Sequence, residues 1–440
     1  MPFRLGKLWL LLLFPVGAGA FIGGAYLFFY QGGYRAPPTV PVPFESIVVP
    51  TASVAGFVEA PTPREGMFLL DVAHSNNFDE AEISPLLSRV ASRGYTIEFL
   101  GERNHGDASS SSGPVRLALL EEKLREADSF AVILPQDAYA KEEVDVIERY
   151  VEKGGRLLLI GDPSRHDHIN SVAEEFGITF QDGFLYNVVE HDLNYRNIFL
   201  RDFLPNELTQ GLGRITLYTA GSIQSGVSLV TTDGNTYSSM IQRTAPFAPV
   251  VKAGDGGVLG IFDITFMIPP QNALTDNARF IANIADFLTN GQRSFELVDF
   301  PHFFSGPVDI LLGQSSLFPA GTAMKSLLLT FETPSELRGV EDLLQDTVFL
   351  GLYEDARDVA QYLSLARIQV GETIRTPFTP AIPSDSTGLV LLHQGQGGRR
   401  VLIVLGDTES ALHRLVELLG TGRFRTGLVS DSIGVYHLGP

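Results

Sequence analysis

Gly155-Arg-Leu-Leu-Leu-Ile-Gly161-Asp162-Pro163 is the stretch on which the fold turns. Four consecutive apolar residues between an arginine and a glycine read as a strand buried on both faces, the habit of a parallel sheet covered by helices. Asp162 then reads as a helix N-cap and Pro163 as the first helical residue. Upstream, Val144, Ile147 and Val151 lie on one face of a helix over Lys141 to Lys153, and Gly154-Gly155 stops it. Before that come a strand over Ser129 to Leu134, a helix over Val115 to Ala127 and a strand over Tyr95 to Leu100. The opening unit is a strand from Gly66 to Val72, then Ile83, Leu86, Leu87 and Val90 at helical spacing, with Gly94 as the stop. Gly101 to Pro114 reads as a flexible loop at the sheet edge. Downstream, Ile215 to Thr219 and Val227 to Thr232 are expected strands in an irregular stretch. Gly257 to Asp263 is a late strand, and a helix carrying Phe280, Ile284, Phe287 and Leu288 closes the unit.

The pattern predicts an α/β domain over 67–290, a connector over 291–305 and a smaller α/β domain over 306–440. In the latter, Val308 to Leu312, Thr347 to Tyr353, Gly388 to His393 and Arg400 to Leu405 read as strands, and Leu412, Leu415, Val416 and Leu419 mark a helix. Ahead of both lie residues 1–35, which hold 27 consecutive uncharged residues between Lys7 and Arg35. About 20 apolar residues cross the roughly 30 Å of a bilayer's hydrocarbon, so this reads as a membrane anchor, with a cleaved signal peptide ending at Ala18-Gly-Ala20 as the alternative. Arg4 and Lys7 before the span set the N-terminus in the cytoplasm and the globular part outside, at the cell membrane. Residues 36–66 hold seven prolines and read as an extended tether.

A net charge of -19 argues against nucleic acid as a partner. The absence of cysteine excludes disulfides, thiolate catalysis and Cys-ligated zinc.

Leu69-Leu-Asp-Val-Ala-His74-Ser-Asn-Asn77, Ala131-Val-Ile-Leu-Pro, Gly155 to Asp162 and Asp276-Asn-Ala-Arg-Phe-Ile-Ala-Asn283 together resemble a membrane-anchored glutamine-amidotransferase-like family, domain of unknown function 4350. The resemblance implies a flavodoxin-like or amidotransferase-like sheet and a ligand- or partner-binding accessory of an ABC-type transport system, with a transporter or envelope protein as partner. In such folds the nucleophile caps a strand-to-helix turn and the next residue's N–H serves the oxyanion hole. Here no cysteine is present, and Pro163 has no N–H to give. The expectation is a non-catalytic module with no cofactor and no metal. The alternatives are a structural cell-envelope protein and a hydrolase using His and Asp.

Ligands of open parallel sheets sit beyond the carboxyl ends of the strands. The polar residues expected there are His74, Asn76 and Asn77 after the first strand, Gln136 after the third, Asp162, Arg165 and His166 after the fourth, and Asp263 at the end of the late strand. His74 and Asn77 are expected to face Asp162 if the first and fourth strands are neighbours. His166-Asp-His168 has the spacing of a metal-ligand pair, without a third ligand fixed by the sequence.

Overall fold

The computed structural model describes residues 8–30, 57, 59–101, 113–241, 246–300, 303–395, 398–430 and 432–438. The expected tether up to residue 56 and most of the loop Gly101 to Pro114 therefore lie outside the described residues. The chain divides into two compact units, Met1–Gly56 and Phe57–Pro440. In the first, α1 (Leu8–Tyr30) is a single apolar helix, long and apolar enough by length and composition to cross a membrane.

The second unit is mixed α/β, built on two large sheets. The first sheet begins with β1 (Gly66–Asp71), α2 (Glu80–Ser92), β2 (Tyr95–Leu100), α3 (Gly113–Glu126), β3 (Ser129–Ile133), α4 (Lys141–Glu152) and β4 (Arg156–Gly161). The chain continues through β5 (Asn194–Leu200), β6 (Asp202–Phe203), β7 (Ile215–Tyr218), β8 (Val227–Thr231), β9 (Val250–Ala253), β10 (Val258–Phe262) and α5 (Asn277–Thr289); β5 and β7 pair in a separate three-stranded sheet, and the other strands complete the first sheet. The strand order is β2-β1-β3-β4-β10-β9-β8-β6; the first five strands run parallel and the last three pair antiparallel.

Strand side chains alternate between two cores, as a period of two requires. Phe68, Leu70, Ala131, Ile133, Leu158 and Ile160 face α2 and α5, whereas Leu69, Phe130, Val132, Leu157 and Leu159 face α3 and α4. Each of these side chains is buried, so the continuous apolar runs are the price of a sheet covered twice. The reversal from α2 into β2 depends on Gly94, whose φ is +86° and whose Cβ, if it had one, would lie 2.3 Å from the Arg64 carbonyl oxygen.

The second sheet holds β11 (Val308–Leu312), β12 (Ser335–Arg338), β13 (Asp346–Leu352), β14 (Thr387–Gln394), β15 (Arg400–Gly406), β16 (Leu428–Ser430) and β17 (Ile433–His437), in the order β12-β11-β13-β15-β14-β17-β16. Helices α6 (Phe318–Thr330) and α7 (Glu409–Leu419) cover one face. The arrangement echoes the first sheet. A crossover sets the second strand outside the first, and the last parallel strand, β10 or β15, pairs with the antiparallel strand that precedes it in the chain.

Arg293 joins the two sheets. It is 3% exposed, and its Nη1 donates to the carbonyls of Leu124, Arg125 and Ala127 at 2.7, 3.0 and 2.7 Å, while Nη2 pairs with Asp299 at 3.1 Å. One guanidinium thus caps the carbonyls at the end of α3 from the connector. Nearby, Phe295 and Gly422 share a backbone bond of 3.0 Å, and Arg425 reaches Asp128 at 2.5 Å. Arg293→Met should lower the unfolding free energy of the chain by about 3 kcal/mol, because three carbonyls lose their donor and the buried Asp299 keeps only Lys153 as a cation partner. Arg293→Lys should recover little, since an ammonium cannot reproduce the fork. Urea unfolding checks both; wild-type stability in the methionine variant would refute the capping role.

Candidate functional site

β1 ends on Asp71, a fully buried carboxylate closing an otherwise apolar strand. It accepts from His74 Nδ1 at 3.0 and 3.1 Å, from the Tyr139 hydroxyl at 2.6 Å and from the Asn76 amide at 3.2 Å. The His74 ring stacks on Tyr139 with centroids 3.6 Å apart, and its Nε2 faces Glu143 at 3.6 Å, an ion-pair distance. Glu143, in the first turn of α4, accepts from Arg116 of α3 at 2.7 and 3.2 Å and from the Ala140 N–H at 2.8 Å. The result is a row of alternating sign, Asp71, His74, Glu143 and Arg116, of which the first three are buried and Arg116 half-buried.

Burial opposes a charged imidazole, yet Asp71, joined by Glu143, outweighs it and holds His74 above its ordinary pKa. Burial likewise opposes the Glu143 carboxylate, but contacts from His74 and Arg116 carry it down to about 2. Tyr139 is pushed well up, by burial first and then by Asp71.

A second cluster lies beyond β4 and β10. Asp162 does not begin a helix. Its Oδ1 accepts from the Ser164 N–H at 2.8 Å and the Ser164 hydroxyl at 2.5 Å, and the Arg165 N–H reaches its carbonyl at 3.0 Å. Aspartate before proline has closed a tight turn instead, the other role these two residue types serve. Asp162 Oδ2 accepts from the Ile264 N–H at 3.3 Å. Asp263, fully buried, accepts from the N–H groups of Tyr218 and Thr265 at 2.8 and 2.7 Å. Burial, and then the Asp162 charge, push Asp263 up to about 8, so it is largely protonated at neutral pH. Asp167, bonded to the Asp162 N–H at 3.3 Å, is also raised, chiefly by burial.

The residues expected from the sequence therefore divide. β3 lies between β1 and β4, so the first and fourth strands are not neighbours. His74 and Asp162 are both buried and bonded within the protein rather than facing one opening. Asn76 is used up: its amide donates to Asp71 and, at 2.8 Å, to the Ile133 carbonyl. Arg165 links the two loops, donating to the Asn77 carbonyl at 2.8 Å and pairing with Glu82 of α2, whose pKa it lowers. Gln136 and His166 are exposed. The His166 and His168 rings meet edge-on at 5.0 Å, and among the described residues no group of three acids or histidines is placed to hold a metal. Sequence reading missed Tyr139, Glu143 and Arg116, which nothing local distinguishes from surface helix residues. Asp71 was the available signal, because a carboxylate ending a buried strand needs partners.

Backbone strain gathers at the same edge. Ser75 and Leu134, just past β1 and β3, have φ of +53° and +47°, and a bulky leucine there is held only by its surroundings.

The family model of the IFT52 GIFT domain matches residues 115–247, under a third of the chain. A solved structure titled mmIFT52 N-terminal domain is 16% identical, covers 50% of this chain and 97% of that chain, and has a TM-score of 0.39. No curated protein matches. The GIFT match corrects the resemblance to the domain of unknown function 4350 family. With it fall the envelope transport-accessory function and its alternatives, the transporter, envelope and membrane partners, and the placement as a single-pass protein with its globular part outside the cell. The physical reason is plain: the motifs that carried that resemblance are buried strands and the turns that follow them, which any covered parallel sheet shares. The match agrees with the expectation that the chain is not an enzyme.

The titrations have a definite sign. His74, raised above 6.5, contributes stability in full below that value and loses it as pH rises through the higher folded pKa. Glu143, lowered from 4.5 to about 2, contributes above 4.5 and loses it as pH falls toward 2. Asp263, raised from 3.8 to about 8, favours the folded state below 3.8 and loses that advantage as pH rises toward 8. Urea stability should therefore peak near pH 5 and decline toward pH 8, and Asp263→Asn should flatten the decline. Arg116→Met should cost about 3 to 5 kcal/mol by stranding Glu143, and adding Glu143→Leu should restore much of it. A pH-independent midpoint, or a double variant no better than the single, would contradict the network.

Proposed function

We propose that the chain is a non-catalytic assembly subunit of IFT52 type, whose GIFT-like stretch docks other protein subunits of an intraflagellar transport complex. What supports this is the family match, IFT52-like proteins being subunits of that complex, together with one surface inside the matched residues. There Tyr186 stacks on Tyr237 at 5.5 Å, Tyr195 meets Tyr186 edge-on at 5.9 Å, and the Arg196 guanidinium lies 4.3 Å from the Phe184 ring centroid. Val188, Val189 and Met240 are 58%, 62% and 65% exposed in the same stretch. Tyrosine, arginine and methionine grouped around exposed aliphatics are the composition of interface centres, and a soluble surface does not leave such a group uncovered without cause.

We read the order β2-β1-β3-β4 as a flavodoxin-like arrangement with a topological switch between β1 and β3. We also read the chain after residue 66 as two domains, 67–290 and 306–440, with 291–305 between them. The separate cores under the two sheets support this division.

Purified full-length protein mixed with reconstituted intraflagellar transport subunits should co-sediment in analytical ultracentrifugation. Tyr195→Ala combined with Arg196→Ala should weaken that association about thirtyfold, as loss of a hot spot does, while leaving the melting temperature unchanged. Absence of association with every subunit, or full association by the folded double variant, would remove the reading.

A further inference from the structure

Beside the buried acids lies a cavity of about 440 Å³ that none of them fills. Strand register assembles one wall. β5 pairs antiparallel with β7, setting Asn197 opposite Tyr218, and His191-Asp192 pairs with the other edge of β5, so Asp192, Asn197 and Tyr218 meet at one end of a small three-stranded sheet. Ser164 after β4 and Thr265 after β10 supply the floor, and Pro270, Gln271 and Leu274 the opposite wall. The cavity thus opens beyond the carboxyl ends of parallel strands, where such sheets take their ligands.

Two polar atoms there have no hydrogen-bond partner among the described residues. Tyr218 is only 8% exposed, yet its hydroxyl makes no hydrogen bond, and the Gln271 Oε1 is buried and equally unpaired. A buried hydroxyl without a hydrogen-bond partner is costly unless something binds it, and the protein keeps this one at the end of an antiparallel strand. Thr219, the next residue, is held at φ +59°, unfavourable for a β-branched side chain. Asp192 is the only charged side chain among the described lining residues, and no described residue forms an ion pair with it. Leu193, Pro270 and Leu274 give the cavity an apolar side.

The geometry points to a binding site for a primary alkylammonium group, its three N–H donors on Asp192, Gln271 Oε1 and the Tyr218 oxygen, and its methylenes along Leu193, Pro270 and Leu274. An anion finds no cation here, and a simple alcohol leaves the Asp192 charge unmatched. The same chemistry arrives from a free diamine or from a lysine side chain of a bound protein. The inference does not rest on the docking of transport subunits, because neither Tyr186 nor Tyr237 lines the cavity.

The test is a titration of the full-length protein, followed by ¹⁵N-edited NMR or calorimetry, with butylammonium chloride, 1-butanol and sodium butyrate. Butylammonium should bind about tenfold more tightly than butanol, and butyrate not detectably. Asp192→Asn should lose about tenfold and Tyr218→Phe severalfold. The phenylalanine variant should melt at the wild-type temperature, since the hydroxyl it removes has no partner in the chain. Parallel titrations with 1,4-diaminobutane and N-acetyl-lysine methylamide assign the source to whichever binds more tightly. Equal binding of butanol and butylammonium, no binding of butylammonium, or unchanged affinity in folded Asp192→Asn would overturn the site.

Discussion

The carboxyl edge of the first sheet is organised by a row of four charges, Asp71, His74, Glu143 and the half-buried Arg116, each between partners of opposite sign except at the ends. Taking any one of them out of water alone costs several kcal/mol, so none can move or change protonation without stranding its neighbour. That requirement ties β1 to α3 and α4 at the point where the chain leaves the sheet. It also holds the His74 ring face-on against Tyr139. Burial, and then the Asp162 charge, raise Asp263, the other acid at this edge, to about 8. The polar groups that would furnish chemistry in another α/β protein serve here to hold strand ends in place.

With the deep polar groups committed, recognition falls to residues that the scaffold leaves unpaired. The tyrosine and arginine stack at Tyr186, Tyr195, Arg196 and Tyr237 is one such place, and the Asp192, Tyr218 and Gln271 cavity is another. Both are built from short strands between β4 and β9, the stretch where the chain departs from simple alternation of strand and helix. The regular part of the sheet supplies rigidity and the irregular part supplies surface.

Legibility in the sequence followed burial. β1, β3, β4 and β10 were readable because a strand buried on both faces must be apolar throughout, and α2 because Ile83, Leu86, Leu87 and Val90 form one stripe. The strand Ser335-Glu-Leu-Arg338 carried no such mark, since it lies at a sheet edge and needs only backbone partners. Asp162-Pro163 misled for a different reason: the same dipeptide suits a helix start and a tight turn, and the choice is made by Ser164 and by Ile264, about a hundred residues further along. The sequence put the expected site residues just past the strands but could not say which polar groups point inward. His74 and Gln136 look equally polar in a string, yet one is sealed against Tyr139 and the other is exposed. Tyr218 was visible only as part of a strand; its isolation depends on β5 and Gln271 packing around it without touching its hydroxyl.

The claim on which the account rests is that Asp71 and Glu143 hold His74 above its ordinary pKa against the cost of burial. Nitrogen NMR of histidine-labelled protein, followed across pH, reads this directly. The account predicts that His74 titrates above its ordinary value of 6.5. A His74 titrating below that value would show that burial outweighs its carboxylate partners and that the charge row does not hold the strand end.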